Sequence, residues 1–233
     1  MDGVLFDTER ISTECCFWAA DELGISISRE AVYGCFGLSG TLTREFIVRT
    51  MEPQYPGGSF PYDAYSKKWS EGFSKRLEEE VPMMPGVVEL LDYLEKKGIK
   101  AAIASSTRRE RVLSNLEKNG LQNRFAVIIS GDMVQNGKPA PDIYRKACRE
   151  LGVACREAMA VEDSPNGIRS AHAAGLYTVM VPNMVMPGPE LEGLYDLTCT
   201  ESIYGRTKRV KDFSNLTLSL GCTRAKRADG RQI

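Results

Sequence analysis

The chain has 233 residues, 42% of them hydrophobic and 26% charged, with a formal net charge of −1. That size suits one domain, or a core carrying a smaller inserted lid. The near-zero charge gives no electrostatic footprint for nucleic acid, and no apolar run nears the ~20 residues of a membrane span, so neither partner is expected. No basic stretch followed by an apolar one marks a secretory signal, and a cytoplasmic location is expected. The seven cysteines (Cys15, Cys16, Cys35, Cys148, Cys155, Cys199 and Cys222) are odd in number and lack CxxC spacing. They predict free thiols in a reducing compartment, with neither a disulfide framework nor a zinc site. The one histidine, His172, lies in a helical stretch, so acid–base chemistry falls to carboxylates.

In chain order, the first third is helical. Glu9 to Leu23, Arg29 to Phe36, Leu42 to Met51 and Tyr62 to Glu80 read as helices with no strand between them, and Pro53 to Pro61 (PQYPGGSFP) as a loop. The turn Met84-Pro85-Gly86 opens a different pattern. Helices are predicted over Val87–Lys97, Thr107–Asn119, Asp142–Leu151 and Pro165–Ala174, each followed by a glycine: Gly98, Gly120, Gly152 and Gly175. Between them, Ile99–Ala104, Ala126–Ile129, Ala158–Val161 and Tyr177–Val181 are short apolar runs. Continuous apolar strands alternating with helices predict an α/β fold, a doubly wound, Rossmann-like parallel sheet covered on both faces. The expected organisation is a core of residues 1–12 and 81–200, a helical insertion at 13–80, and a poorly patterned tail at 201–233. That tail holds eight Lys or Arg against three Asp or Glu, a net of +5.

In open α/β sheets the site lies at the carboxyl ends of the strands. Polar residues gather at four such places. The first is DGVLFDTE, from Asp2 to Glu9. The second is Ser105-Ser106-Thr107, where a hydroxyl and backbone N–H groups at a helix start can meet an anion. The third is GKPAPD, in which Lys138 precedes a proline and is therefore in extended chain. It supplies a cation suited to offset phosphate charge. The fourth is EDSPNG, where Glu162 and Asp163 are adjacent acids that suit Mg²⁺. Each alone has an ordinary structural reading: an N-cap, a surface lysine, acids at a helix N-terminus. Their joint occurrence, in one order, points to a site.

The stretches DGVLFDTE, ASS, GKPAPDIY and VEDSPNGIRSA together resemble the four motifs of the haloacid dehalogenase superfamily, and most nearly its beta-phosphoglucomutase-like phosphatases with a helical cap. The likeness runs from Met1 to about residue 200. It implies Asp2 as general acid and base, with its carbonyl on magnesium. It implies Ser105 with Ser106, and Lys138, as phosphate-binding groups, and Glu162 and Asp163 with Asp2 as Mg²⁺ ligands. It also places Leu38, Ser39, Gly40 and Arg44 in the segment of the cap that faces substrate. In the family a nucleophilic aspartate stands two residues before Asp2, at the end of a central apolar strand. The expectation is therefore a start upstream of Met1, and little activity without that strand.

The implied activity is Mg²⁺-dependent hydrolysis of a small phosphorylated metabolite, such as a sugar phosphate, through an aspartyl-phosphate. Two alternatives stand beside it. One is a phosphomutase, but the histidine that the sugar mutases carry after the first motif is missing from Asp7-Thr8-Glu9-Arg10-Ile11-Ser12, and Arg44 matches their cap arginine only loosely. The other is a non-catalytic relative that binds a phosphorylated ligand.

Overall fold

A computed structural model describes residues 1–35, 41–56, 58–184, 188–199 and 225–227. The chain divides into two units, Met1–Phe6 with Met83–Ile233, and Asp7–Pro82. Residues 7–12, expected with the core, belong to the second unit because helix α1 runs unbroken over Thr8–Glu22.

The second unit is helical. It contains α1, α2 (Arg29–Gly34), α3 (Thr41–Met51) and α4 (Tyr62–Glu79). Ser28 caps α2 by accepting from the Ala31 N–H at 3.1 Å. Small residues of α1, Ala19 and Ala20, are buried with Ala31, Val32, Ile47, Met51, Phe60 and Tyr65. Phe60 and Tyr65 meet edge to face at 5.2 Å. Trp69 on α4 donates to the Ser12 carbonyl on α1 at 3.2 Å. Helices α1 and α4 approach closely because Gly72 has no side chain: a Cβ there would overlap the Trp18 ring. An alanine at 72 gains helix propensity, up to about 1 kcal/mol, yet must displace a bulky indole. We expect Gly72→Ala to lower stability by about 1–2 kcal/mol net, since overpacking of this kind typically costs about 1–3 kcal/mol. A fall in the urea midpoint at constant slope is the measurement.

The first unit is α/β. Strand β1 (Ala102–Ala104) pairs in parallel with β2 (Val127–Ile129). Strand β3 (Met159–Glu162) pairs in parallel with β4 (Tyr177–Met180), and β4 with β5 (Leu197–Cys199). Within the basic tail, β6 (Ala225–Arg227) runs antiparallel to β5. The helices are α5 (Val87–Lys96), α6 (Arg109–Lys118), α7 (Asp142–Leu151) and α8 (Pro165–Ala174). All four glycines that close them in the sequence have positive φ. A shared core joins β2, β3, α7 and α8: Ile129, Ile143, Tyr144, Ala147, Cys148, Ala160 and Ala171 are buried together.

Three expectations change. The strand predicted from Ile99 begins at Ala102, because the Ile99 N–H closes α5 on the Leu94 carbonyl at 2.9 Å. The helix predicted from Thr107 begins at Arg109. Arg108 is extended, and the Thr107 carbonyl accepts from Gly131 at 3.1 Å. The parallel sheet is in two pieces, β2-β1 and β3-β4-β5-β6. Among the described residues neither β1 nor β3 has a second strand neighbour, and the bridges of Asp2 with Phe6 and of Phe6 with Met83 are isolated.

Candidate active site

The carboxyl ends of β1 and β3 bring together residues from all four sequence motifs. After β1, Ser105 keeps its N–H in the ladder, donating to the Ile129 carbonyl at 3.0 Å. Its buried hydroxyl accepts from the Thr107 N–H at 3.2 Å. Ser106 is exposed, and its carbonyl rests on Gly131, where a Cβ would overlap it. This fixes the Ser105–Thr107 turn against the chain leaving β2. Thr107 then reaches the first motif: its Oγ1 donates to Asp2 Oδ2 at 2.8 Å. Gly3 adopts φ +69, and its Cα lies so near Asp163 that a Cβ would overlap the carboxylate. Asp2, Thr107 and Asp163 are thereby gathered at one end of the α/β unit.

Lys138 is no surface lysine. Its side chain is 9% exposed and forms an ion pair with Glu162. The ammonium also donates to the Ala104 carbonyl at 3.0 Å and sits 5.0 Å from the centre of the Tyr144 ring. It thus links the ends of β1 and β3. Glu162 is buried, and both its oxygens accept from protein donors. Oε1 accepts from Lys138 and from the Tyr144 hydroxyl, and Oε2 from Ser164 Oγ at 3.3 Å. Ser164 in turn caps α8 by accepting from the Gly167 N–H at 3.1 Å. Gly167 leaves the space the carboxylate fills, since a Cβ there would overlap it. The first turn of α8 therefore faces a carboxylate, where the helix dipole favours one.

The electrostatics follow from these contacts. Burial pushes the Glu162 carboxyl up. The charge of Lys138 and the Lys138 and Tyr144 hydrogen bonds outweigh it and hold the group below the usual carboxylate range. Burial first, then the neighbouring Glu162 charge, pushes the Tyr144 phenol well above its usual value, so it is a donor at any working pH.

Asp2, Glu162 and Asp163 were expected to hold Mg²⁺. Oxygen donors suit that ion, although among the described residues no three acids, cysteines or histidines are grouped so as to hold a metal. Glu162 gives three of its four acceptor positions to protein donors, so the Asp2 carbonyl and the Asp163 carboxylate fit the ion better than Glu162 does. Of the expected cap residues, Leu38, Ser39 and Gly40 lie outside the described residues. Arg44 lies on α3, paired through both nitrogens with Asp63 and stacked 5.1 Å from the Tyr62 ring. Asp7 pairs with Arg10 at 2.7 Å, and His172 is exposed on α8. The sequence reading gave no role to Thr107, Tyr144 or Ser164. A tyrosine on the apolar face of α7 was the available signal, because a buried phenol needs a partner.

The family model described as haloacid dehalogenase-like hydrolase matches residues 1–181. The chain belongs to that family. The Phosphorylated carbohydrates phosphatase of Thermotoga maritima is 31% identical over 176 residues, 76% of this chain and 79% of that protein. Protein CbbY of Cereibacter sphaeroides is 32% identical over 203 residues, 83% of this chain and 86% of that protein. Among solved structures, CbbY from Rhodobacter sphaeroides in complex with phosphate superimposes with a TM-score of 0.64 at 31% identity, covering 83% of this chain and 88% of that one. Within the family, this haloacid dehalogenase-like hydrolase is of the phosphatase type, with an α/β core and a helical insertion. None of its described helices is long and apolar enough to cross a membrane.

The buried ion pair makes an acid-stability prediction. A carboxyl whose folded pKa is depressed contributes stability that is full above its unfolded pKa and is lost as the pH falls through the folded value. For Glu162 that window lies below the usual carboxylate range. The urea midpoint of the chain is expected to drop there. In Lys138→Met the sign reverses: an uncompensated buried carboxylate costs about 3–5 kcal/mol at pH 7, part of which returns on acidification as Glu162 takes a proton. Urea titrations at several pH values check both.

Proposed function

We propose that this chain carries the phosphate-handling core of a phosphohydrolase for a small phosphorylated metabolite, a sugar phosphate by preference. The observation that carries the reading is the meeting of Ser105, Thr107, Asp2 and the buried Lys138 at the carboxyl ends of β1 and β3. An ammonium with little access to water is a strong partner for a phosphate oxygen. The phosphatase named for phosphorylated carbohydrates, and the CbbY structure in complex with xylulose-(1,5)bisphosphate at 30% identity and a TM-score of 0.61, support the substrate class.

The chemistry is two displacements at phosphorus. A carboxylate oxygen attacks, the P–O bond to the metabolite breaks, and Asp2 gives a proton to the departing alkoxide. Asp2 then takes a proton from water as that water attacks the aspartyl-phosphate, releasing inorganic phosphate and restoring the carboxylate. Asp2 is held for this by Thr107, and Lys138 and Ser105 offset charge on the phosphoryl oxygens. The attacking carboxylate would be the strand-end aspartate that the family resemblance implies. The Asp2 carbonyl and the Asp163 carboxylate would hold the magnesium implied by the family resemblance, which would offset charge on the phosphoryl oxygens; no step is routed through it.

The test compares phosphate release from an aryl phosphate and a panel of sugar phosphates by two proteins. One is the 233-residue chain; the other is extended ahead of Met1 by an apolar strand whose last residue is Asp, which makes the sequence Asp-Met1-Asp2-Gly3. Release by the extended chain alone is expected. Asp2→Asn in that background should lower kcat by about 10²–10⁴-fold, the range of general acid–base help. No release by either protein, with phosphate still bound, would replace the enzyme by a phospho-ligand-binding relative.

A further inference from the structure

The carboxylate beside Lys138 was expected to be a metal ligand, and the geometry assigns it other work. We propose that Glu162 is the internal counter-ion of Lys138, held in that state by the Tyr144 hydroxyl, and that Tyr144 is a positioning residue for the phosphate-binding lysine. The inference deepens the phosphohydrolase reading, since it takes Lys138 as the cation that meets phosphate.

Three observations carry it. First, three of the four acceptor positions of the Glu162 carboxylate are engaged by protein donors: Lys138 and Tyr144 on Oε1, Ser164 on Oε2. A metal could reach this group only through the position left on Oε2. Second, the cavity for this carboxylate is built into the backbone. Gly167 has no Cβ where Glu162 lies, and the α8 N-terminus points at it. Third, Tyr144 contacts both partners. Its hydroxyl donates to Glu162, and its ring faces the Lys138 ammonium at 5.0 Å. The hydroxyl is also within 3.4 Å of Lys138 Nζ. Tyr144 comes from the buried face of α7, so one rigid helix sets the position of both charges.

The arrangement has a function in phosphate handling. A buried lysine without a partner would lose its proton or unfold its surroundings. A counter-ion keeps it charged before substrate arrives. Of the three acceptors around the ammonium, the Tyr144 oxygen at 3.4 Å is the most distant, and it is the one a phosphate oxygen would replace. Removing the hydroxyl would leave Glu162 to Lys138 alone.

The experiment is a set of urea midpoints for the 233-residue chain in EDTA, with Glu162→Gln, Lys138→Met, the pair of them, and Tyr144→Phe in the parent and in the paired background. A metal ligand and a counter-ion give opposite signs. Acids gathered for a metal repel one another when it is stripped away, so neutralising one raises the midpoint or leaves it unchanged. A counter-ion does the reverse. The expected result is a lower midpoint for Glu162→Gln and for Lys138→Met, and recovery in the paired variant. Tyr144→Phe should lower the midpoint in the parent and have little effect in the paired background. Equal loss in both backgrounds would make the hydroxyl merely structural and overturn its positioning role. A raised midpoint for Glu162→Gln would overturn the counter-ion. If Glu162→Gln does not fold, folding of the paired variant supports the proposal, and failure of both overturns it. Mg²⁺ titration by calorimetry adds a second readout: heat retained in Glu162→Gln and lost in Asp163→Asn supports the assignment, and heat lost in Glu162→Gln defeats it. None of these readouts needs phosphatase activity, so the enzyme reading can fail separately.

Discussion

The Lys138–Glu162 ion pair is the contact on which the α/β unit's chemistry depends. It joins a loop that precedes α7 to the end of β3, and through the Ala104 carbonyl it reaches the end of β1 as well. Two opposite charges are taken from water together, which is tolerable only because their remaining hydrogen-bonding capacity is met. Tyr144, Ser164 and the Ala104 carbonyl do this. Each of those groups is fixed by something apolar or by a helix end: Tyr144 by the α7 core, Ser164 by its cap on α8, Ala104 by the β1–β2 ladder. The site is therefore a product of the packing, and its charges cannot be moved without disturbing three elements.

The turn after β1 works on the same plan with neutral groups. Ser105 is buried, Gly131 gives the Ser106 carbonyl its room, and Thr107 passes a hydrogen bond to Asp2. Positions separated by about a hundred residues in sequence thus touch through one hydroxyl. That is how a fold with strand ends on one side collects short motifs scattered along a chain. Membership of the haloacid dehalogenase-like hydrolases is consistent with such motifs being read as a set.

Much of the framework was legible in the sequence. Helices α7 and α8 occupy the predicted residues, because a capping residue or proline starts each, a glycine with positive φ ends it, and an apolar stripe runs between. The strand ends were less legible. Ile99 looks like strand by its β-branched side chain, yet it serves the end of α5. Neighbour relations between strands were not legible at all. Periodicity identifies a buried strand without naming what lies beside it, so the separation of β1 from β3 came from the structure. In the site, Lys138 and Glu162 stood out by type and place, but their mutual engagement did not. Hydrogen bonds between positions 24 residues apart leave no local pattern. Tyr144 escaped for the opposite reason: on an apolar helix face it reads as core, and it is core, apart from one oxygen atom.

Gly131 and Gly167 each leave a space that another residue's oxygen fills, the Ser106 carbonyl at one and the Glu162 carboxylate at the other. The site is therefore vulnerable at positions that carry no chemistry of their own. A single added methyl at either would push an oxygen aside, and a survey restricted to charged and hydroxyl-bearing residues would pass over both.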